Sequence, residues 1–164
     1  MQVLQPLVLL EGSREGRTHM MDADPVFGQR AAGAAYVLRP SAYALIKNAV
    51  GQVAIVRTAQ GVFLPGGGIE RGETPEQAVQ REALEECGFD IRLLSLLPGA
   101  VQLLYSPSEL TYFEIVSTFF RAVVERSGSG PTESGHELLW AVPGDAESLL
   151  SHESHRWALR SSHD

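Results

Sequence analysis

Cysteine is almost missing from this sequence: Cys87 stands alone, so no disulfide can form within the chain, which suits a reducing compartment. No run of about 18 apolar residues occurs, and a hydrophobic membrane-spanning helix is not expected. Residues 1–10 are apolar, yet they lack a basic leader and a small-residue cleavage site, so they do not read as a secretory signal. A cytoplasmic protein without a membrane partner is the expectation. Basic residues are also scarce, with 13 Lys and Arg against 20 Asp and Glu for a net charge of −7. No run of cations offers a track for phosphates, so duplex nucleic acid is not an expected partner. An acidic protein can still handle anionic phosphates if its carboxylates hold divalent cations.

What is present is enough for one core: 164 residues, 44% of them apolar, with no repeat or linker, predict a single domain over 1–164. Residues 3–10 and 31–38 read as strands around a polar stretch, predicting an N-terminal β-hairpin extension within about the first 30 residues. Short β-rich runs at 43–47, 52–58 and 62–64 follow, joined by turns at 48–51 and 59–61. Later strands are predicted at 91–97, 100–105, 112–124 and 138–142, with a flexible Gly/Ser connector at 127–131. A closing helix is predicted over 145–160, interrupted near 152–154. A mixed or antiparallel sheet flanked by helices follows, an α+β fold.

The period changes after residue 74. Val79, Ala83 and Cys87 recur at helical spacing with Leu84 beside them, Thr74 and Gln77 form a capping box, Pro75 opens the first turn and Gly88 suits a left-handed end. A helix over 75–87 is predicted. Ahead of it lies Pro65-Gly66-Gly67-Gly68-Ile69-Glu70-Arg71-Gly72-Glu73, whose glycines let backbone approach an ion or phosphate closely. On the helix, Glu82, Glu85 and Glu86 stand at i, i+3 and i+4, expected on a common face opposite the apolar stripe. Their mutual repulsion exceeds what Arg81 alone can balance. An isolated E-x-x-E-E is most often a solvated helix face; with the glycine loop and the cap beside it, bound divalent cations become the economical explanation.

Gly67, Glu73 and then Arg81-Glu82-Ala83-Leu84-Glu85-Glu86-Cys87-Gly88-Phe89 resemble the whole Nudix box, G-x5-E-x7-R-E-U-x-E-E-x-G-U, with U bulky and apolar; only the small Ala83 departs from it. The resemblance spans residues 67–89 and implies a Nudix-type α/β/α sandwich with a central mixed sheet. It further implies that Glu82, Glu85 and Glu86 bind Mg²⁺ or Mn²⁺, with a carbonyl of Gly66 or Gly67 adding an oxygen, and that Glu73 and Arg81 brace the loop. Water activated by the metals would then attack a diphosphate linkage in a nucleotide-type small molecule. In such enzymes the base is a box glutamate or an acid beyond the box. Glu82 and Glu85 are the first candidates; among later acids Glu133, Glu137 and Glu114 are considered, and Glu137 is chosen.

The group attached to the diphosphate is read elsewhere. Dinucleoside polyphosphates, nucleotide sugars, ADP-ribose and nucleoside triphosphates all remain open. Tyr105, 16 positions after Phe89, resembles a tyrosine that marks diadenosine polyphosphate hydrolases of the family, although a core strand aromatic is the commoner role. Gly66 stands where RNA 5′-end pyrophosphohydrolases usually carry glutamine, and the coenzyme A pattern is lacking. Phe63, Tyr105 and Phe113 are candidate base-stacking residues. His152, His155 and His163 are expected at the surface. A non-catalytic nucleotide-sensing module is the alternative function, which the intact acids disfavour, and strand exchange by the N-terminal 30 residues would allow a homodimer.

Overall fold

The structure, a computed structural model, describes residues 23–162. The elements in chain order are β1 (Val26–Phe27), β2 (Tyr36–Ile46), β3 (Val53–Thr58), β4 (Gly61–Phe63), β5 (Gly66–Gly68), α1 (Pro75–Cys87), β6 (Phe89–Ser106), β7 (Thr111–Ser127), β8 (Glu137–Ala141), α2 (Pro143–Leu149) and α3 (Glu153–Ser161). They build a mixed five-stranded sheet, ordered β1-β6-β7-β2-β5, and a three-stranded sheet, ordered β4-β3-β8.

The central strands are apolar on both sides, as strands covered on two faces must be. On β2, Ala42, Ala44 and Ile46 pack toward α1, while Tyr43 and Leu45 join Ala146, Leu150, Ala158 and Leu159 from the α2–α3 side. On β3, Ala54 and Val56 take the first side, Val53 and Ile55 the second. This alternation makes the α/β/α sandwich. α1 is held by the burial of Ala78, Val79, Ala83 and Cys87, whereas its cap contributes only about 1 kcal/mol. The cap is as expected: Thr74 Oγ1 accepts from Gln77 N at 3.2 Å, Gln77 Oε1 accepts from Thr74 N at 2.9 Å, and Gly88 is left-handed at φ 70°.

Several elements differ from expectation. Residues 31–35 of the first predicted run are not strand, and 36–38 join 43–46 in one strand, β2, which passes through Pro40. A strand residue directs its N–H and C=O to the same side, and Pro40 O accepts from Ile69 N at 2.9 Å, so the missing donor faces the end of β5 and leaves the ladder to β7 intact. The runs at 91–97 and 100–105 likewise form the single strand β6, with Pro98 and Gly99 absorbed in a register shift between Leu97 and Ala100. The 127–131 connector is pinned, since Gly128 N donates to Gly88 O at 2.7 Å.

Leu84, expected beside the stripe, is 53% exposed. The closing helix is two helices, α2 and α3. His155, expected at the surface, is fully buried, its ring against Tyr43, Phe63 and Phe119, and Nδ1 accepts from Leu64 N at 3.2 Å; His152, expected there too, is half-buried against Phe63 and His155. The strand predicted at 3–10, and with it the hairpin, lies outside the described residues, as does His163. Within the first 30 residues, β1 pairs in parallel with β6 of its own chain. No helix among the described residues is long and apolar enough to cross a membrane.

Candidate active site

The glycine segment becomes β5, held against β2 by an antiparallel ladder pairing Tyr43 with Gly66, Ala42 with Gly67 and Ser41 with Gly68. The close approach requires glycine. Gly66 has φ 144°, and a Cβ there would lie 2.2 Å from Ala42 O; at Gly67 it would lie 2.8 Å from Glu82 Oε1; at Gly68 it would meet open space. Gly66→Ala should therefore lower stability by about 2 kcal/mol, within the usual cost of a strained backbone, while Gly68→Ala stays close to the parent. Thermal melts of the two variants check this, and equal losses would contradict the geometry.

Arg81 ties loop to helix. Its guanidinium donates to Glu73 Oε1 at 2.6 Å and Oε2 at 3.0 Å, to Glu82 Oε1 at 2.8 Å and to Gly68 O at 3.2 Å. The Arg81 hydrogen bonds, helped by Glu70 N–H, hold the Glu73 carboxyl down at about 2, and Glu73 in turn raises Arg81. Both remain charged at any ordinary pH, which suits the bracing role expected of them.

Glu86 is placed differently from expectation. It follows Val79 and Ala83 at i+7 and i+3, in phase with the apolar stripe, and is 7% exposed. Its Oε2 accepts from Gly66 N at 2.9 Å, so Gly66 meets the box through its amide. Burial pushes Glu86 up to about 8 against the pull of that N–H, and the charges of Glu82, Glu133 and Glu85 raise it further. Burial also raises Glu82, with Arg81 opposing and Glu85 and Glu133 adding to the shift. Glu85 is half-exposed, 3.4 Å from Arg81 Nη1. Two groups of ligand atoms lie within 4.8 Å of one another: Glu82, Glu85 and Glu133, and Glu86, Glu133 and His136. These carboxylates outnumber the nearby guanidinium, and buried charge without a counterion is costly. The donor set fits a divalent cation.

A cavity of about 300 Å³ opens in front of Gly66–Gly68 and Glu86, with Phe63, Arg39 and His152 on its walls. Arg39, Ile115 and His152 also border a second cavity of similar size, lined by Phe113, Leu104 and Ser106. The two form a groove from Glu86 to a mixed end, where Leu104, Phe113 and Ile115 stand among Gln60, Ser108 and Glu109. The Arg39 guanidinium carbon stands 4.5 Å above the Phe113 ring, and Nη2 reaches Glu109 Oε1 at 3.4 Å.

Of the residues expected to bind substrate, Phe63 and Phe113 border the groove, whereas Tyr105 lines neither cavity and packs on Tyr112 at 4.8 Å between centroids. Glu137 is not brought to the carboxylates: it starts β8, half-exposed, and pairs with Arg57 at 3.0 Å. Glu114 is bound to Arg30. Of the later acids Glu133 is the one that joins the cluster, with His136 beside it. His136 and Glu137 are neighbours, and one step along extended chain reverses the side on which a residue lies. Arg39, His136 and His152 were not legible as site residues, because no local spacing ties them to the box.

A compact acidic site beside a glycine edge strand, at the end of a groove, defines a protein that can hold cations against an anionic ligand. The family follows: the NUDIX domain matches residues 37–159, and the chain belongs to the Nudix family, as a hydrolase. It is 34% identical over 102 residues to an 8-oxo-dGTP diphosphatase of Haemophilus influenzae, covering 58% of this chain and 70% of that one. It is 44% identical over 62 residues to an RNA pyrophosphohydrolase of Photobacterium profundum, covering 35% of this chain and 36% of that one. The MutT protein of Methanosarcina mazei shares the fold, with TM-score 0.63 at 20% identity, covering 76% of this chain and 92% of that one.

Proposed function

We propose that this hydrolase cleaves a phosphoanhydride bond of a nucleoside triphosphate, with Mg²⁺ held by Glu82, Glu85 and Glu86. The observation that carries the reading is the nearly buried Glu86 carboxylate, beside Glu82 and Glu85 on the same helix and facing a groove that continues past Arg39 to Phe113. The Haemophilus relative, a diphosphatase of a nucleoside triphosphate, supports the choice among the substrates left open by the sequence. Mn²⁺ is the alternative ion, since carboxylate oxygens suit both.

The ion supplies Lewis acidity, drawing charge from the phosphoryl oxygens and making water a competent nucleophile at neutral pH. The protein's own groups do the rest. Arg81, fixed by Glu73, holds Glu82 in place. Glu85, more loosely held than Glu82, takes the proton of the attacking water, which replaces the fixed but distant Glu137 in that role. Oxygen bonds to phosphorus, the bridging P–O bond breaks, and the leaving phosphate carries away the electron pair, so no covalent enzyme intermediate forms. Arg39, between the two cavities, meets phosphate oxygens, and Phe113 presents an apolar face to the base.

A panel of nucleoside triphosphates, dinucleoside polyphosphates, nucleotide sugars, ADP-ribose and 5′-triphosphorylated RNA, incubated with Mg²⁺ and resolved by product mass, tests the proposal. Turnover should be fastest with a nucleoside triphosphate, and preference for any other class would replace this substrate assignment. Arg39→Ala should raise KM roughly tenfold with a smaller change in kcat, the signature of lost ground-state binding. An unchanged KM would remove Arg39 from the binding surface.

A further inference from the structure

The tip of the β6–β7 hairpin, residues 107–110, borders the far end of the groove through Ser108 and Glu109. All four tip residues are exposed. Leu110 lies in the left-handed region at φ 49°, the one residue other than glycine with a positive φ among the described residues, and it is 78% exposed. A leucine is strained in that conformation, and a side chain so open to water recovers little of the cost by packing. What the turn does place is Glu109. Thr111 Oγ1 donates to Glu109 O at 2.8 Å, and Arg39 Nη2 reaches Glu109 Oε1 at 3.4 Å, tying the tip to β2.

Arg39 is thus held between two groups, with the Phe113 ring 4.5 Å from its guanidinium carbon and the Glu109 carboxylate beside it. Both partners of the ion pair are half-exposed, and their spacing is longer than the roughly 2.7–2.9 Å of a tight charge-assisted bond. A pair of this kind is weak in water. A phosphate group carries more negative charge and more acceptor oxygens than a carboxylate, and the planar guanidinium matches either one, so phosphate displaces Glu109. Glu109 is then an unpaired negative charge beside an anionic ligand, and binding is weaker by that competition.

We propose that Glu109 is a specificity-determining residue, which occupies Arg39 in the free protein and yields it only to a ligand that brings phosphate to the guanidinium. A ligand without phosphate at that point meets the intact ion pair and gains nothing from Arg39. The inference rests on the reading above in taking Arg39 as a phosphate contact. Its new content is that the hairpin tip competes with the substrate for one guanidinium, which sets affinity below what the groove and Arg39 alone would give.

The test uses the full chain with Mg²⁺ and a dGTP analogue whose bridging oxygens are replaced by imido groups, so that calorimetry reads binding without turnover. Glu109→Gln should bind the analogue about two- to fivefold more tightly than the wild type, the range open to an exposed ion pair, with circular dichroism confirming the fold. In an Arg39→Ala background the same substitution should add no gain, because the two residues act as a pair. With a hydrolysable triphosphate the gain should fall in KM rather than in kcat. Should Glu109→Gln fail to fold, Glu109→Ser reads the same quantity. Unchanged or weaker affinity in Glu109→Gln, or a gain that persists undiminished without Arg39, would overturn the inference. Weaker binding in Arg39→Ala with no effect of Glu109→Gln would remove this inference and leave the proposed function standing. Tighter binding of the analogue by Glu109→Gln, in a protein that turns over none of the panel, would do the reverse.

Discussion

Glu86→Gln should cut turnover by about three orders of magnitude while making the metal-free protein more stable. The side chain is nearly buried, accepts one N–H from Gly66, and is crowded by the negative charges of Glu82, Glu85 and Glu133. Glutamine keeps an acceptor for Gly66 N–H, removes the charge, and offers an amide donor toward Glu133. In EDTA the gain should be on the order of 2 kcal/mol, a rise of about 5 °C in Tm for a domain of this size. With Mg²⁺ at about 100 times its Kd the wild type gains roughly 2.7 kcal/mol from ligand linkage, a gain the variant largely forgoes, and the order of stabilities should invert. Loss of the cation ligand should lower kcat by on the order of 10³. Calorimetry with and without Mg²⁺, beside single-substrate kinetics, measures both effects. A variant that hydrolyses at the wild-type rate would remove Glu86 from the cation site, and one that is destabilised in EDTA would show that its charge has a structural partner.

The second large effect is at His155. It is fully enclosed by aromatic rings and receives the Leu64 N–H. His155→Ala should cost about 3 kcal/mol through the cavity and the orphaned amide, or roughly 9 °C in Tm. Burial also holds the histidine pair neutral, lowering His152 to about 4 and His155 well below its usual value, with Arg156 adding to the first shift and His152 to the second.

The unfolded chain takes up these protons below about pH 6.5 and the native state does not. Stability from this source is therefore complete above 6.5 and is lost as pH falls toward 4, on the order of 3 kcal/mol from His152 alone. Urea denaturation at pH 7.5, 6.0 and 5.0 should show a steeper acid loss in the wild type than in His152→Gln. Parallel curves would mean that the ring is reached by water. The Glu73 pair, held down at about 2, contributes its own acid sensitivity only below about pH 4.5, in a lower window.

Much of the site was readable as local chemistry. Thr74, Pro75, Gln77 and Gly88 mark the ends of α1 because capping is satisfied by residues adjacent in sequence, and the helix appears over the predicted span. Glu73 and Arg81 meet because the loop ahead of α1 folds back onto the helix, where Arg81 also reaches Gly68 O. The burial of Glu86 was legible too, since its i+7 spacing from Val79 puts it in the apolar phase, although the run of acids drew attention to a shared outer face instead.

Spacing of glycine, carboxylate and apolar residues along one loop and helix was enough to establish the family, the α+β sandwich and the acidic character of the site, because those features depend on neighbours within a few turns of chain. Only the folded chain decided which distant residues complete it. Glu133 and His136 reach Glu86, while Glu137 does not, because the 131–136 turn is fastened to Glu85 O and adjoining residues of extended chain face opposite ways. Arg39 and His152 line the same groove because β2 lies in the mixed sheet, while the α2–α3 unit folds back on the opposite face from α1. Contacts of that range arise from packing two apolar faces of one sheet, and no periodicity in the sequence records them.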